Sequence, residues 1–238
     1  MSGRTLRRGI ARCLNHLFAS GLCLACGCEL GDTNSLCASC SSQLQRVPNP
    51  CQYCGQPNPL GGLVCPACLL NPPRWQKIIA PLQYRGLVRD YLIQLKFSEA
   101  LYLAKSLGQE CIDPFRQSLP KPEVLLPVPL HRTRLFERGY NQAYEIATVL
   151  SGALGIPIDR HALIRTRPTP SQSGLSASQR ESNIRKAFTY APKHEYRHVA
   201  LIDDIVTTGS TVTEITRALH RGGVEYVEIW ALARVYRR

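Results

Sequence analysis

The pattern of apolar and polar positions after residue 77 predicts strands that alternate with helices. Continuous apolar runs suit strands over 78–84, from Val124, over 199–202 and over 225–236. Apolar residues at helical spacing predict helices over 87–103 and 142–154, with Lys96 as a solvated lysine on the first of them. A loop and a helix join the last two strands into one parallel crossover unit, so we expect a parallel sheet.

The segment from Val199 to Glu214 carries the most informative change of pattern. Its first four residues are apolar and suit a buried strand, and two adjacent carboxylates, Asp203 and Asp204, follow directly. Small residues come next, at Thr207, Thr208, Gly209, Ser210 and Thr211, before a helix predicted over 213–220. Backbone N–H groups of such a loop, together with the positive end of a helix dipole, bind phosphate in unrelated proteins. We therefore expect a phosphate here, with sugar hydroxyls or a metal beside it at the carboxylates.

Two basic segments precede that loop, and each allows two interpretations. Arg132, Arg134 and Arg138 follow the strand that begins at Val124, and they form either a solvated face or an anion site. Ligands of open α/β sheets collect at the carboxyl ends of strands, which favours the anion site. Residues 165–188 carry five basic residues and one acidic residue. They form either a mobile surface loop or a basic lid that closes over a polyphosphate.

A cysteine pattern is repeated in the first third of the chain. Two Cys-x2-Cys pairs separated by ten residues recur at an offset of 28 residues, at Cys23, Cys26, Cys37 and Cys40 and then at Cys51, Cys54, Cys65 and Cys68. Four thiolates complete a tetrahedral Zn²⁺ site at about 2.3 Å, and no ligand position stays open for catalysis. Disulfides and a redox pair fit poorly with eight cysteines in duplicate. The pattern predicts two structural zinc sites, and its spacing leaves open whether ligands pair within or across the repeats.

The cysteines also divide the 238 residues into domains. We expect an amphipathic helix within 1–20 that packs on the following domain, although a basic helix can also lie on a membrane or on nucleic acid. A double zinc ribbon is expected over 21–73, and an α/β domain over 78–238. The formal net charge, 29 − 17 = +12, favours phosphate-rich partners without choosing between nucleic acid and a polyphosphate ligand. The sequence has no apolar run long enough to span a membrane, and its first residues do not form a signal peptide. We therefore expect a cytoplasmic protein.

The residues from Val199 to Thr211 resemble the phosphoribosyl-pyrophosphate (PRPP) motif of type I phosphoribosyltransferases. A more particular pattern resembles the ComF family, at Pro127–Leu130, Arg138–Gln142, Gln172, Arg180 and Asn183. That family joins an N-terminal double zinc ribbon to a phosphoribosyltransferase-like domain. The resemblance implies an α/β fold in which a type I phosphoribosyltransferase-like parallel sheet is flanked by helices.

The resemblance also assigns roles to individual residues. Asp203 and Asp204 would be the catalytic pair, which engages the ribose hydroxyls directly or through Mg²⁺. The 5′-phosphate would bind at Val206, Thr207, Thr208, Gly209, Ser210 and Thr211, and the pyrophosphate at Val128, Pro129, Leu130 and His131. Arg138 completes the ligand-binding set, together with Gln172 and Arg180 of a flexible lid.

Three functional hypotheses follow. The first is Mg²⁺-dependent transfer of phosphoribose from PRPP to an unidentified acceptor, in a protein that the resemblance links to DNA uptake in natural transformation. The second is a non-catalytic adaptor that senses PRPP or a nucleotide and binds single-stranded DNA or a DNA-uptake helicase. The third is a structural adaptor with a relic pocket, which the intact Asp203, Asp204 and Gly209 argue against, because a charged pair at a strand end is costly to keep.

Overall fold

The computed structural model describes residues 21–30, 35–98, 100–168 and 184–236. The amphipathic helix expected within 1–20, and Gln172, Arg180 and Asn183, lie outside these ranges. None of the described helices is both long enough and apolar enough to cross a membrane.

Strands and helices alternate after residue 76, as the apolar pattern predicts. The strands are β1 (Lys77–Ile79), β2 (Leu82–Gln83), β3 (Val124–Pro127), β4 (Leu163–Arg165), β5 (Phe188–Tyr190), β6 (His198–Val206) and β7 (Tyr226–Arg234). The helices are α1 (Ala38–Ser42), α2 (Pro66–Leu70), α3 (Gly86–Phe97), α4 (Tyr102–Glu110), α5 (Ile112–Arg116), α6 (Arg132–Arg138), α7 (Gln142–Leu154) and α8 (Ser210–Arg221). The helix predicted over 142–154 is confirmed as α7.

The main sheet is parallel throughout, in the order β1-β7-β6-β3, with β2 also paired to β7. Strands β6 and β7 are joined by α8, which confirms the predicted crossover unit. Their register pairs Asp203 with Ala231 and Val206 with Arg234. Strands β4 and β5 form a separate antiparallel pair. The carboxyl ends of β3, β6 and β7 therefore meet along one edge of the sheet.

Several predicted boundaries are wrong. The strand expected over 78–84 is two short strands, interrupted near Pro81, which has no N–H for the ladder. The helix expected over 87–103 is also divided, because no apolar residue continues the buried stripe at residue 98. Strand β6 continues through both carboxylates to Val206, since its pairing with β7 extends that far. Helix α8 begins at residue 210, before the predicted start.

Alternating side chains of the central strands fill a core on each face of the sheet. Ala200 and Ile202 of β6 face the cluster that contains α3, α4, α5 and α7. Val199 and Leu201 face the cluster that contains α8 and the β4–β5 pair. Burying each large apolar side chain completely stabilises the fold by about 1.5–3 kcal/mol. Both cores hold the carboxyl end of β6 in place.

The two cysteine repeats dock at different places. The first repeat packs against β2 and α4, where Gln83 Nε2 donates to the carbonyl of Arg46 at 2.8 Å and Ser41 Oγ donates to Glu110 at 2.7 Å. The second repeat packs against β1 and β7, where the Ile78 N–H donates to the Gln52 carbonyl at 2.8 Å. The second repeat also accepts a hydrogen bond from the carboxyl end of β7, where Arg234 Nε donates to the Cys54 carbonyl at 2.8 Å.

Candidate functional site

The two carboxylates of β6 lie in different surroundings. Asp204 is 5% exposed, and its Oδ2 lies 2.7 Å from Lys96 Nζ on α3. The prediction that Lys96 is solvated is therefore wrong. Its ammonium reaches inward because α3 presents Leu92 and Leu95, and with them Lys96, towards the sheet. Asp203 accepts a hydrogen bond from the Asp204 N–H at 2.9 Å.

Electrostatics make Asp203 the carboxylate that most needs a cation. Burial, and next the Asp204 carboxylate, raise the pKa of Asp203 well above its ordinary value. Burial alone would lower the pKa of Lys96, but the Asp204 carboxylate outweighs burial, so the pKa of Lys96 is raised. Lys96 is therefore held as the charged ammonium that balances Asp204. An added divalent cation would offset the repulsion that Asp203 experiences.

Arg138 and Arg165 interact electrostatically with the carboxylates, and Arg134 interacts with both of these arginines. Burial lowers the pKa of Arg138 and of Arg165, and the neighbouring Arg134 lowers both further. The carboxylates act in the opposite direction, because Asp204 raises the pKa of Arg138 and Asp203 raises that of Arg165. Arg134 and Arg138 are four residues apart on α6, so they share one helix face, and Arg165 ends β4. Such a concentration of guanidinium groups beside two carboxylates suits a ligand that carries several phosphates.

The loop from Thr207 to Gly209 joins β6 to α8. Gly209 has φ +86°, a conformation that costs little only for glycine, and it caps the helix. Thr208 Oγ1 lies 2.9 Å from Ser210 Oγ and accepts from the Ser210 N–H at 3.4 Å. Thr211 lies in the first turn of α8. The loop and the first turn offer N–H groups and hydroxyls to an anion, as the sequence predicts.

Val206 differs from the rest of the predicted phosphate-binding set. Its side chain is 3% exposed and belongs to the core, so its main chain is the part that can serve a ligand. Its carbonyl accepts a hydrogen bond from Arg234 Nη1 at 2.7 Å.

The predicted pyrophosphate turn follows β3, next to β6. The Val128 N–H donates to the Ile202 carbonyl at 2.9 Å, and Asn141 Nδ2 donates to the Val128 carbonyl at 3.0 Å. Pro129 and Leu130 are partly exposed, and His131 caps α6 by accepting from the Thr133 N–H. The turn is thus fixed at both ends and lies beside the carboxylate strand.

The eight patterned cysteines form two groups, each within one repeat. In each group the four Sγ atoms lie within 4.8 Å of one another. Cys26 Sγ is 3.8 Å from Cys37 Sγ, and Cys54 Sγ is 3.8 Å from Cys65 Sγ. A tetrahedral Zn²⁺ with bonds of about 2.3 Å requires sulfur–sulfur separations of about 3.8 Å. Each group could therefore hold one structural zinc ion.

Backbone N–H groups favour the thiolate form of the first cysteine in each cluster, Cys23 and Cys51. The Cys37 N–H donates to Cys23 Sγ, and the Cys65 N–H donates to Cys51 Sγ, each at 3.3 Å. Burial would raise the pKa of these thiols, but N–H donors outweigh it and lower the pKa of Cys23 to about 6 and that of Cys51 to about 7. Zinc binds thiolate, so the local backbone prepares Cys23 and Cys51 as metal ligands, whereas burial raises the pKa of Cys40, Cys54 and Cys68.

Lys96 and Arg234 are not identified as site residues from the sequence, and Arg165 is included only as part of the basic segment 165–188. For Lys96 a signal exists, because it lies four residues after Leu92 on an otherwise apolar stripe. For Arg234 the signal is a charged residue that ends the apolar strand β7. A buried cation requires partners, and those partners come from distant segments that spacing does not reveal.

Known proteins resemble this chain over most of its length. A family model described as the phosphoribosyl transferase domain matches residues 137–238. Competence protein F of Haemophilus influenzae is 36% identical over 209 residues, which cover 84% of this chain and 91% of that protein. DNA utilization protein YhgH of Escherichia coli strain K12 is 35% identical over 224 residues, which cover 92% of this chain and 99% of that protein.

A more distant relative also matches most of this chain. Competence protein ComFC of Bacillus subtilis is 28% identical over 208 residues, which cover 84% of this chain and 84% of that protein. The parallel sheet, the phosphoribosyl transferase match and the two four-cysteine groups agree with this relationship. The chain belongs to the ComF family, in which cysteine clusters suited to zinc ribbons precede a domain of the type I phosphoribosyltransferase fold.

Proposed function

We propose that this protein binds PRPP with Mg²⁺ and transfers its phosphoribosyl group to an acceptor. The observation that carries the proposal is the convergence of Asp203 and Asp204 with a phosphate-sized loop and three arginines at one edge of the sheet. In this proposal the carboxylates engage the ribose hydroxyls and Mg²⁺. The 5′-phosphate binds at 206–211, and the pyrophosphate binds at 128–131 with Arg138.

The chemistry requires charge stabilisation more than covalent participation. The bond between C1 and the pyrophosphate oxygen breaks, and the electron pair leaves with pyrophosphate. The acceptor forms the new bond to C1 and loses a proton. Mg²⁺ would neutralise charge on the pyrophosphate. Arg134, Arg138 and Arg165 stabilise the leaving group, and Lys96 holds the Asp204 side chain in place by an ion pair at 2.7 Å. Gln172 and Arg180 stay predicted lid residues.

Thermal unfolding with PRPP, with and without Mg²⁺, followed by assays of pyrophosphate release across candidate acceptors, tests the proposal. We expect a rise in Tm that depends on both components, because a ligand that binds only the folded state stabilises it. Pyrophosphate release in the presence of one acceptor would identify the second substrate. An unchanged Tm at millimolar PRPP and Mg²⁺ would reject the proposal.

The relatives suggest the biological setting. Proteins similar over nearly the whole chain are named for competence and for DNA utilization. We infer a role of this chain in DNA uptake or use, in the cytoplasm, where PRPP is made.

A second candidate function is favoured by a surface next to the carboxylates. Phe97 is 76% exposed and Phe136 is 84% exposed, and the Arg138 guanidinium lies 5.8 Å from the centre of the Phe97 ring. Arg132 lies four residues before Phe136 and shares its helix face. Phe136 lies two residues before Arg138, so the Arg132–Phe136 pair is on a different side of α6 from the Arg138–Phe97 pair. We call the four residues together the aromatic–basic surface. Exposed aromatic rings stack on bases, and arginines contact phosphates, so the surface suits single-stranded DNA.

In the second candidate the protein senses PRPP or a nucleotide without consuming it, while it contacts DNA or a DNA-uptake helicase. We expect Phe97→Ala or Phe136→Ala to weaken binding of an oligothymidylate by about fivefold or more. Arg132→Ala should lower the slope of log affinity against log salt by about one. Fluorescence anisotropy measures both effects. Leu60→Ala, at an 80% exposed position of the second repeat, is the matched control. Equal losses in all variants would exclude this surface.

A further inference from the structure

The second cysteine repeat contacts two buried side chains of the sheet domain. Trp75 Nε1 donates to the Tyr53 carbonyl at 2.6 Å, and Arg234 Nε donates to the Cys54 carbonyl at 2.8 Å. Tyr53 and Cys54 end the Cys51-x2-Cys54 knuckle, whose two cysteines belong to the second four-thiol group. The carbonyl groups that receive these bonds are therefore fixed by the same turn that presents the thiolates.

The same two side chains reach the loop at 207–209. Arg234 Nη1 donates to the carbonyls of Val206 and Thr207. A Cβ atom placed on Gly209 would lie 3.5 Å from Trp75 Cη2, so the indole supports the loop at its glycine. Arg234 is 3% exposed and Trp75 is 9% exposed. Each side chain thus spans the distance from the knuckle to the loop within the protein interior.

These contacts fix the direction of the N–H groups that would meet a phosphate. In a trans peptide the C=O and N–H of one unit point in opposite directions. When Arg234 holds the carbonyls of Val206 and Thr207, the N–H groups of Thr207 and Thr208 are directed away from the guanidinium. The buried positive charge behind the loop also favours an anion in front of it. Arg234 therefore orients the N–H donors of Thr207 and Thr208. Its charge also makes the electrostatic potential in front of these donors more positive.

The loop has space to move if these contacts are lost. A cavity of about 750 Å³ lies between the second repeat and the loop, lined on one side by residues 54–73 and on the other by Val206, Thr208 and Gly209. Packing alone does not fill this space, so the two bridging side chains provide a rigid connection across it.

The first repeat is arranged differently, which supplies an internal comparison. It docks on Glu110 of α4 and on Gln83 of β2, whose register partner on β7 is Arg234. The repeat offset places Cys28 where the second copy has Gln56, and Gln56 Nε2 donates to the Val235 carbonyl at 2.8 Å. A cysteine has no amide group to donate in this way, so this contact with the Val235 carbonyl belongs to the second copy.

We propose that the metal-loaded second repeat positions the phosphate loop through Arg234 and Trp75, so that zinc in the second cluster, and not in the first, sustains phosphate binding. The choice of PRPP as the ligand rests on the proposed function, whereas the geometry of the loop does not. The proposed role makes Arg234 a positioning residue and gives the second repeat a function distinct from that of the first.

The test compares four variants of the full chain: Cys54→Ser, its counterpart Cys26→Ser in the first repeat, Arg234→Gln and the milder Gln56→Ala. Three quantities are measured: zinc per chain, affinity for PRPP with Mg²⁺, and hydrogen exchange of the amides at 207–213. We expect both cysteine variants to lose one zinc. Only Cys54→Ser and Arg234→Gln should then bind PRPP about tenfold or more weakly, with faster exchange at 207–213. Gln56→Ala should show the same change to a smaller extent.

Slow exchange in the core of β6 shows that a variant is folded, and Gln56→Ala keeps the test decisive if Arg234→Gln unfolds. If Cys26→Ser and Cys54→Ser affect the loop equally, or neither affects it, the inference is wrong. If the wild type binds no PRPP but exchange at 207–213 still responds only to the second repeat, the proposed function fails while the positioning role stands.

Discussion

At the scale of single residues, the pair formed by Lys96 and Asp204 has the largest consequences. A carboxylate that is 5% exposed is costly to keep ionised, and a partner at 2.7 Å offsets that cost. The Lys96 side chain is about a quarter exposed, so the pair is only partly screened by water. Among the described residues, Asp203 has no cation as close as Lys96 is to Asp204, so the proposed Mg²⁺ would lie beside Asp203.

Removing the Lys96 ammonium should destabilise the fold, because the Asp204 carboxylate then stays buried without its partner. We expect Lys96→Met to lower the free energy of unfolding by about 3 kcal/mol, because Asp204 is then buried without its partner. Lys96→Met combined with Asp204→Asn should recover part of the loss. Urea unfolding measures both. Lys105→Met, at an exposed position of α4, is the control. Identical stability of the Lys96 and Lys105 variants would contradict the assigned pair.

Residue-level prediction from the sequence succeeds where the chemistry is local. The cysteine spacing is enough to predict the thiol groups, because each four-thiol group is formed by one short segment. The role of Lys96 was missed because its partner is more than a hundred residues away, on another element. Helical spacing predicts which face of a helix is apolar. It does not predict whether a lysine on that face forms an ion pair with a carboxylate.

At the scale of elements, strand β7 is held by a buried acid. Glu228 is 1% exposed and accepts hydrogen bonds from Ser118 Oγ at 2.6 Å and from Trp230 Nε1 at 2.7 Å, and its other oxygen lies 3.1 Å from His198 Nε2. Burial alone would raise the pKa of Glu228, but these donors outweigh it and lower the pKa. The network ties β7 to β6 and to the segment before β3.

A lowered pKa makes this network sensitive to acid. Its stabilisation is present above the pKa of an unfolded glutamate, about 4.3, and is lost as pH falls through the lower pKa of the folded state. We expect Glu228→Gln to lower the free energy of unfolding near neutral pH by about 1.5–3 kcal/mol. The difference from the wild type should shrink in acid. Denaturant titrations between pH 3 and pH 7 measure this, with the exposed Glu225→Gln as control. A difference that does not vary with pH would refute the assignment.

The sequence predicts the ends of a helix or strand correctly only where local residues alone determine those ends. Helix α7 was predicted with its full length because Asn141 caps its start and Gly155 ends it. Strand β6 was predicted too short, because two carboxylates suggest a loop when they are judged without a partner strand. Pairing with β7 as far as Arg234 overrides that local preference.

At the scale of the whole molecule, two cysteine repeats of the same pattern serve one sheet in different ways. The first adds Leu36 and Leu44 to the core on the α3 face, and the second lies beside the carboxyl edge where the phosphate loop begins. The sequence predicted the number of repeats and their metal, but their docking depends on contacts between segments that spacing does not encode. The domain that we propose to bind PRPP and the cysteine-rich region are thus connected by direct hydrogen bonds.

The central claim is that Asp203 and the adjoining loop form a PRPP site. Calorimetric titration of PRPP with Mg²⁺ into the wild type and into Asp203→Asn, with zinc measured in both, tests it most directly. Asp203→Asn keeps the ion pair of Lys96 with Asp204, and Asp90→Asn changes an exposed aspartate as the control. The account predicts binding by the wild type and by Asp90→Asn, and binding at least about tenfold weaker by Asp203→Asn with unchanged zinc. Equal affinity in all three proteins, or no binding by the wild type, would contradict it.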